Sequence, residues 1–293
     1  MLGGPLRKIG NYYLVIEKLN NNTESEVFCD IFSVQKYFSS VYALKLYRKG
    51  FSEKNLEKQV EIYALLGQKE NPYFLRYISN SKDEFTAKDK YIVLEYTEKG
   101  TLKDYLLFGK FFSEKLCIIV VWKIFQAVIQ MHDKGIIHLN INLENILVDG
   151  EYIFKISGFD HAININKEKP KKDDNVFTED IISLAFLIIQ LLTGKVKLKQ
   201  IQSKLKMAIK KGNFEAFWMI IDSQDEYSFS QELKDLIKIM FSGQISKVHN
   251  LLSHNWFEKI RNSINQNEFA NYEQYMKNEL ACYERGINDG FFF

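Results

Sequence analysis

The spacing of apolar residues changes once along this chain. Up to about residue 95 they come in short, alternating runs: Tyr13-Leu14-Val15-Ile16, Val27-Phe28-Cys29-Asp30-Ile31-Phe32 and Val41-Tyr42-Ala43-Leu44-Lys45-Leu46. Such β-branched and aromatic runs suit a pleated, half-buried surface, and the turn-forming Asn20-Asn21-Asn22-Thr23 separates the first two. Two more strands are predicted over residues 74–78 and 91–95, with one Glu- and Lys-rich helix over 52–66. From Thr101 the period becomes helical, with predicted helices over 102–107 and 114–134 and a strongly apolar stretch over 181–192. The pattern predicts an α+β chain: a small antiparallel β part with one main helix, then a larger, mainly helical part.

Composition narrows this little. The 293 residues are 46% hydrophobic and 26% charged, with a formal net charge of +2, so nothing marks nucleic acid or an anionic membrane as the partner. Cys29, Cys117 and Cys282 lie far apart without C-x-x-C spacing, which fits a reducing compartment and argues against disulfides and zinc. The start, Met1-Leu2-Gly3-Gly4-Pro5, lacks the basic and apolar regions of a signal peptide. The apolar stretches 116–122 and 181–192 are shorter than a membrane span and read as buried helices. The expectation is a cytoplasmic protein, with cytoskeletal or ciliary association as a further possibility.

The chemistry is concentrated in His138-Leu139-Asn140-Ile141-Asn142-Leu143-Glu144-Asn145. It resembles the protein-kinase catalytic loop, H-R-D-L-x-x-x-N, at its first, fourth and last positions. Further motifs follow the same order. Tyr42-Ala43-Leu44-Lys45 is similar to V-A-I-K, Gly158-Phe159-Asp160 stands at D-F-G, and Asp180-Ile181-Ile182-Ser183 at D-x-W-S. Leu252-Ser253-His254-Asn255-Trp256-Phe257 resembles the closing L-x-H-P-W-F. On these motifs the chain is identified as a degenerate member of the eukaryotic protein kinase superfamily. The resemblance implies a bilobal fold: an N-lobe over 9–95, a C-lobe over 96–257 and a helical extension over 258–293.

Read for chemistry, the family positions are altered. The aspartate that accepts the substrate proton is Asn140, whose carboxamide is no base at neutral pH. The loop lysine is Asn142, and the magnesium-binding aspartate is Gly158, which has no side-chain oxygen. Asp160 stands two residues on, displaced by roughly 6.6 Å in extended chain, against a magnesium–oxygen distance of about 2.1 Å. The glycines of the phosphate loop are Asn20, Asn22 and Ser25, and Glu24 adds a negative charge there. Lys45 is kept. Its family partner, a glutamate, aligns with Gln59, a shifted register giving Glu61 or Glu57 instead. Twenty positions separate Asp160 from Asp180, with no A-P-E between them, and Gln244 replaces the arginine that pairs with that motif's glutamate. His138, Phe159 and Asp180, with Tyr63 and Tyr77, match the family's hydrophobic column.

The resulting expectation is a pseudokinase: no enzyme, no catalytic residue (Asn140, Asn142 and Gly158 standing at the degenerate positions) and no metal. Lys45, Leu94 and Asn145 remain as a vestigial nucleotide site. No cofactor is expected, ATP without metal being the one arrangement left open. The function expected is that of a scaffold or structural subunit binding other proteins within a larger assembly. The alternative is residual ATP binding or atypical serine/threonine kinase activity using Lys45 and Asn145. Two features lie outside the motifs. The basic helical run Lys195 to Lys211 reads as a solvated face or as a contact for an acidic surface such as tubulin. Phe269, Tyr272, Tyr275, Met276, Leu280 and Tyr283 recur at helical spacing and predict a helix packed back on the large lobe.

Overall fold

A computed structural model describes residues 8–9, 13–18, 29–36, 41–68, 71–83, 89–109, 111–168, 176–194, 199–222, 229–245 and 247–288. The chain divides into two compact units, Met1–Lys99 and Gly100–Phe293. With a small antiparallel sheet in the first and a mainly helical second, it has the α+β, bilobal kinase-like fold.

The first unit is built on one antiparallel sheet. Its strands are β1 (Lys8–Ile9), β2 (Tyr13–Lys18), β3 (Cys29–Lys36), β4 (Val41–Tyr47), β5 (Tyr77–Asn80) and β6 (Tyr91–Glu95), in the order β1-β2-β3-β4-β6-β5. Pairing of β4 with β6 sets Ala43 opposite Leu94 and Lys45 opposite Ile92. Helix α1 (Glu53–Leu66) lies between β4 and β5 and buries Leu56, Gln59, Ile62, Tyr63 and Leu66. These recur three or four residues apart and so share one face, which leaves a polar glutamine inside an apolar stripe. The helix stops at Gly67, where an added Cβ would lie 2.1 Å from the Leu75 carbonyl oxygen. That close approach corrects the predicted start of the fifth strand. Phe74 and Leu75 are buried against the end of α1, and the ladder begins only at Tyr77.

The second unit starts with α2 (Leu102–Gly109) and α3 (Glu114–Asp133). Ser113 caps α3, its Oγ accepting from the Leu116 N–H at 3.2 Å, and ten residues of α3 are buried. By length and composition α3 could cross a membrane, as the core helix of a globular unit also can. Short strands β7 (Ile136–Ile137), β8 (Ile146–Val148), β9 (Phe154–Ile156) and β10 (Ile163–Asn164) pair as β7–β10 and β8–β9. The β8–β9 hairpin is the support of the loop described below. Helices α4 (Thr178–Thr193), α5 (Lys199–Lys210), α6 (Phe214–Asp222), α7 (Gln231–Phe241), α8 (Val248–Leu251), α9 (Glu258–Asn265) and α10 (Phe269–Asn288) complete the unit.

One carboxylate ties three of these pieces together. Glu114, in the first turn of α3, accepts from the Ser230 N–H at 3.2 Å, from the Ser230 hydroxyl, and from the Trp256 indole N–H at 2.8 Å. Ser230 also caps α7, accepting from the Leu233 N–H at 3.2 Å. The C-terminal helix α10 packs on α2 and α3. Its own Met276 and Leu280 are buried, Tyr283 donates to the Phe111 carbonyl at 2.8 Å, and Glu284 accepts from Tyr105 and, at 3.1 Å, from Tyr152. The aromatic spacing over 269–283 is thus spent on the large unit, while Phe291–Phe293 lie outside the described residues.

Glu114→Ala leaves the Trp256 indole without its acceptor and α7 without half its anchor. We expect a loss of about 2 kcal/mol in urea unfolding with a red shift of tryptophan emission, since bonds to charged groups contribute about 1.5–3 kcal/mol each. An unchanged midpoint would show that Glu114 bears no such load.

Candidate functional site

Lys45 and Leu94 belong to the first unit. Lys45, on β4, is buried, and its Nζ donates to Gln59 Oε1 on α1 at 3.3 Å. Tyr47, two residues on and so on the same face of the strand, donates to the same oxygen at 2.6 Å. Two donors on one oxygen fix which end of the carboxamide is which. Gln59 Nε2 is then a buried donor with no hydrogen-bond partner among the described residues. Of the other residues weighed for this partnership, Glu61 is exposed and Glu57 pairs with Lys82 at 2.5 Å. Leu94, buried on β6 opposite Ala43, presents only apolar surface. Asn20, Asn22, Ser25 and Val27 lie outside the described residues.

In the second unit, residues 138–145 form a loop held from behind. Asp180, in the first turn of α4, is wholly buried. Its carboxylate accepts from the backbone N–H of His138 and of Leu139, both at 2.8 Å, and from His132 Nε2 at 2.9 Å. Leu139 is thereby held at φ 60°, a left-handed conformation that a leucine adopts only under such constraint. His138 is also wholly buried. Its Nε2 lies 2.8 Å from the Ser157 carbonyl and its Nδ1 accepts from the Asn140 N–H at 3.2 Å. Those partners require the neutral tautomer with the proton on Nε2, and burial holds the imidazole pKa below its ordinary value. Phe159 packs beside it with its ring tilted by 49°, ring centroids 5.1 Å apart. His132 and Ser157 were not singled out in the sequence; nothing in its spacing links position 132 or 157 to the loop.

The three asparagines bond to one another. Asn142 Oδ1 accepts from the N–H groups of Glu144 and Asn145 at 2.9 and 3.1 Å, capping the turn Leu143–Asn145. Its Nδ2 donates to Asn140 Oδ1 at 2.9 Å, and Asn145 Nδ2 donates to the Asn140 carbonyl at 2.8 Å. Gly158 then meets Asn145 directly. It has φ 79°, and a Cβ built there would lie 2.2 Å from Asn145 Oδ1. The carboxamide of Asn145 therefore occupies the space that any side chain at 158 would need. Asp160 is exposed at the following turn. No group of three His, Cys, Asp or Glu that could hold a metal occurs among the described residues.

With this geometry in place, comparison with known proteins is direct. The protein kinase domain matches residues 27–257. The chain belongs to the protein kinase family. MAP3K epsilon protein kinase 1 of Arabidopsis thaliana is 22% identical over 304 residues, covering 95% of this chain and 21% of that protein. Serine/threonine-protein kinase Aurora-1 of the same plant is 27% identical over 278 residues, covering 87% of this chain and 85% of that protein. A probable serine/threonine-protein kinase of Dictyostelium discoideum is 33% identical over 120 residues, or 35% of this chain and 24% of its own length. The chain thus spans about a quarter or less of the MAP3K and Dictyostelium relatives.

These matches correct one expectation. The substitutions at Asn140, Asn142 and Gly158 suggested a chain that is no enzyme, yet proteins aligning with 87% and 95% of it are named as kinases, which points to an enzyme. The physical reason is that phosphoryl transfer depends mainly on positioning and electrostatic stabilisation, so a changed side chain is not in itself a lost reaction.

The family's ligands can be set against the residues present. A phosphate group fits the Lys45 ammonium and the unpartnered Gln59 Nε2, two buried donors on neighbouring elements. A magnesium ion does not fit at position 158. Gly158 supplies no oxygen, and Asn145 is turned onto it with its amide nitrogen committed to Asn140.

Two measurements follow. Gly158→Ala should cost about 2 kcal/mol in unfolding free energy, from left-handed strain and from displacing Asn145. In an Asn145→Ala background the cost should fall to about 1 kcal/mol, the strain alone; equal costs in both backgrounds would show that the two side chains do not compete. For His138 the folded pKa lies below the unfolded value of about 6.5, so the unfolded chain binds the proton more readily. The stability that His138 contributes is complete above about pH 6.5 and is lost as pH falls through the folded pKa. His254, also lowered by burial, acts in the same direction. The urea midpoint should therefore be lower at pH 5.5 than at 7.5, and His138→Asn should shrink that drop; an undiminished drop would remove His138 as its source.

Proposed function

We propose that this member of the protein kinase family acts in the cytoplasm as a scaffold or structural subunit, binding other proteins within a larger assembly. The observation that carries this reading is the inward closure of residues 138–145. Asn140, Asn142 and Asn145 use their amides on one another and on the space above Gly158, so the loop is fastened as part of the core. A fastened loop supports a surface of fixed shape, which is what a partner recognises at little entropic cost.

A second reading is favoured by a different observation. Lys45 and Gln59 keep the buried polar pair from which the family's nucleotide contact is made, with one donor left to give. On this reading the chain keeps ATP binding at Lys45, with Leu94 against the base, or an atypical serine/threonine kinase activity using Lys45 and Asn145, in which the γ-phosphate passes to the hydroxyl and ADP leaves.

A thermal-shift titration with ATP, run with and without magnesium and beside a transfer assay on a serine/threonine peptide, tests the second reading. The scaffold reading expects the chain to stay in its native assembly, measured by co-purification, whether or not ATP binds or phosphate is transferred. A shift that needs no magnesium and vanishes in Lys45→Met supports nucleotide binding. A magnesium-dependent shift with peptide phosphorylation supports kinase activity, and a chain that co-purifies with no assembly would remove the scaffold reading.

A further inference from the structure

The run from Lys195 to Lys211 holds seven lysines, and no aspartate or glutamate occurs between Gly194 and Glu215. The chain as a whole carries only +2, so this is a local excess of one sign. Within it α5 is amphipathic in an unusual way. Leu205 and Ala208 are buried, with α5 lying against α6, so the apolar stripe is already covered. The opposite face carries Lys204, Met207 and Lys210, with Lys211 directly after the helix, all exposed and Met207 at 57%. Positions 204, 207 and 211 follow one another at three- and four-residue steps, so a single flexible apolar side chain stands between lysines one turn to either side.

Resting on the protein-binding reading above, we infer that the exposed face of α5 is a docking surface for an acidic amphipathic helix of a partner protein. Carboxylates of that helix pair with Lys204, Lys210 and Lys211, and one of its apolar residues covers Met207. The chemistry sets this partner apart from two others. A lipid surface takes up helices through a broad apolar face, and among the described residues of α5 Leu205 and Ala208 are buried and Met207 is the exposed large apolar side chain. Lysines alone can hold nucleic-acid phosphates, but residues 195–211 contain no aromatic side chain on which an unpaired base could stack and no arginine fork to read a base edge.

The test uses the full chain and a synthetic peptide with glutamate and leucine at helical spacing, followed by fluorescence anisotropy. Binding is expected to weaken steadily with salt. The variant Lys204→Glu, Lys210→Glu, Lys211→Glu should lose roughly tenfold or more in affinity, with circular dichroism unchanged because all three side chains are exposed. Met207→Ser should lose several-fold without changing the salt slope. The inference is overturned if the triple variant binds as the natural chain does, or if phosphatidylserine vesicles or single-stranded RNA bind more tightly than the peptide. It is also overturned if the triple variant still enters the native assembly in full, a result that would leave the protein-binding function standing and move its surface elsewhere.

Discussion

The second unit depends on one buried carboxylate. Asp180 is removed from water altogether, a costly placement unless its oxygens are fully used. They are, by the backbone N–H groups of the adjacent His138 and Leu139 and by the imidazole of His132. Its place in the first turn of α4 adds the favourable end of the helix dipole. Those bonds hold Leu139 in a left-handed conformation and thereby set the path of residues 140–145. Everything chemical about the loop follows from where Asp180 puts it.

Given that path, the side chains settle their own arrangement. Where the family carries charges, this chain carries amides, and amides can both donate and accept. Asn140, Asn142 and Asn145 therefore satisfy one another without a counter-ion. Gly158 completes the arrangement, since only a residue without Cβ leaves Asn145 room to turn inward. The same trade occurs in the first unit, where Gln59 stands opposite Lys45. A carboxylate there would complete an ion pair; the amide accepts from Lys45 and Tyr47 and leaves its nitrogen over.

Elsewhere in the second unit, single acceptors again join distant elements. Glu114 connects the start of α3 to α7 and Trp256, and Glu284 connects α10 to Tyr105 and Tyr152. Tyr105 is a strong tie, because burial and the adjacent Glu284 push its phenol pKa upward and keep the proton on the donor. These ties spend the aromatic face of α10 internally, and the exposed lysine face of α5 is left as the feature that the core does not use.

Much of this was legible in the sequence, because it rests on local pattern. The change of apolar period near residue 100 separates sheet from helices, and ordered motifs around Lys45, His138 and Asp180 identify the kinase fold. The absence of a base at Asn140 and of a carboxylate at Gly158 is likewise a matter of residue type. What the loop does with those residues was not legible. Asn145 reads in sequence as a retained ligand, and only the folded chain turns it onto Gly158. Gln59 reads as one of three alternatives, and burial selects it because Glu57 and Glu61 face outward. His132 and Ser157 carry no signal at all, since their roles come from meeting Asp180 and His138 across 48 and 19 residues. Periodicity and residue type are properties of neighbours along the chain, so the sequence alone determined the elements and the family. Hydrogen-bond partners and shared space are properties of distant segments brought together, and only the tertiary structure decided those.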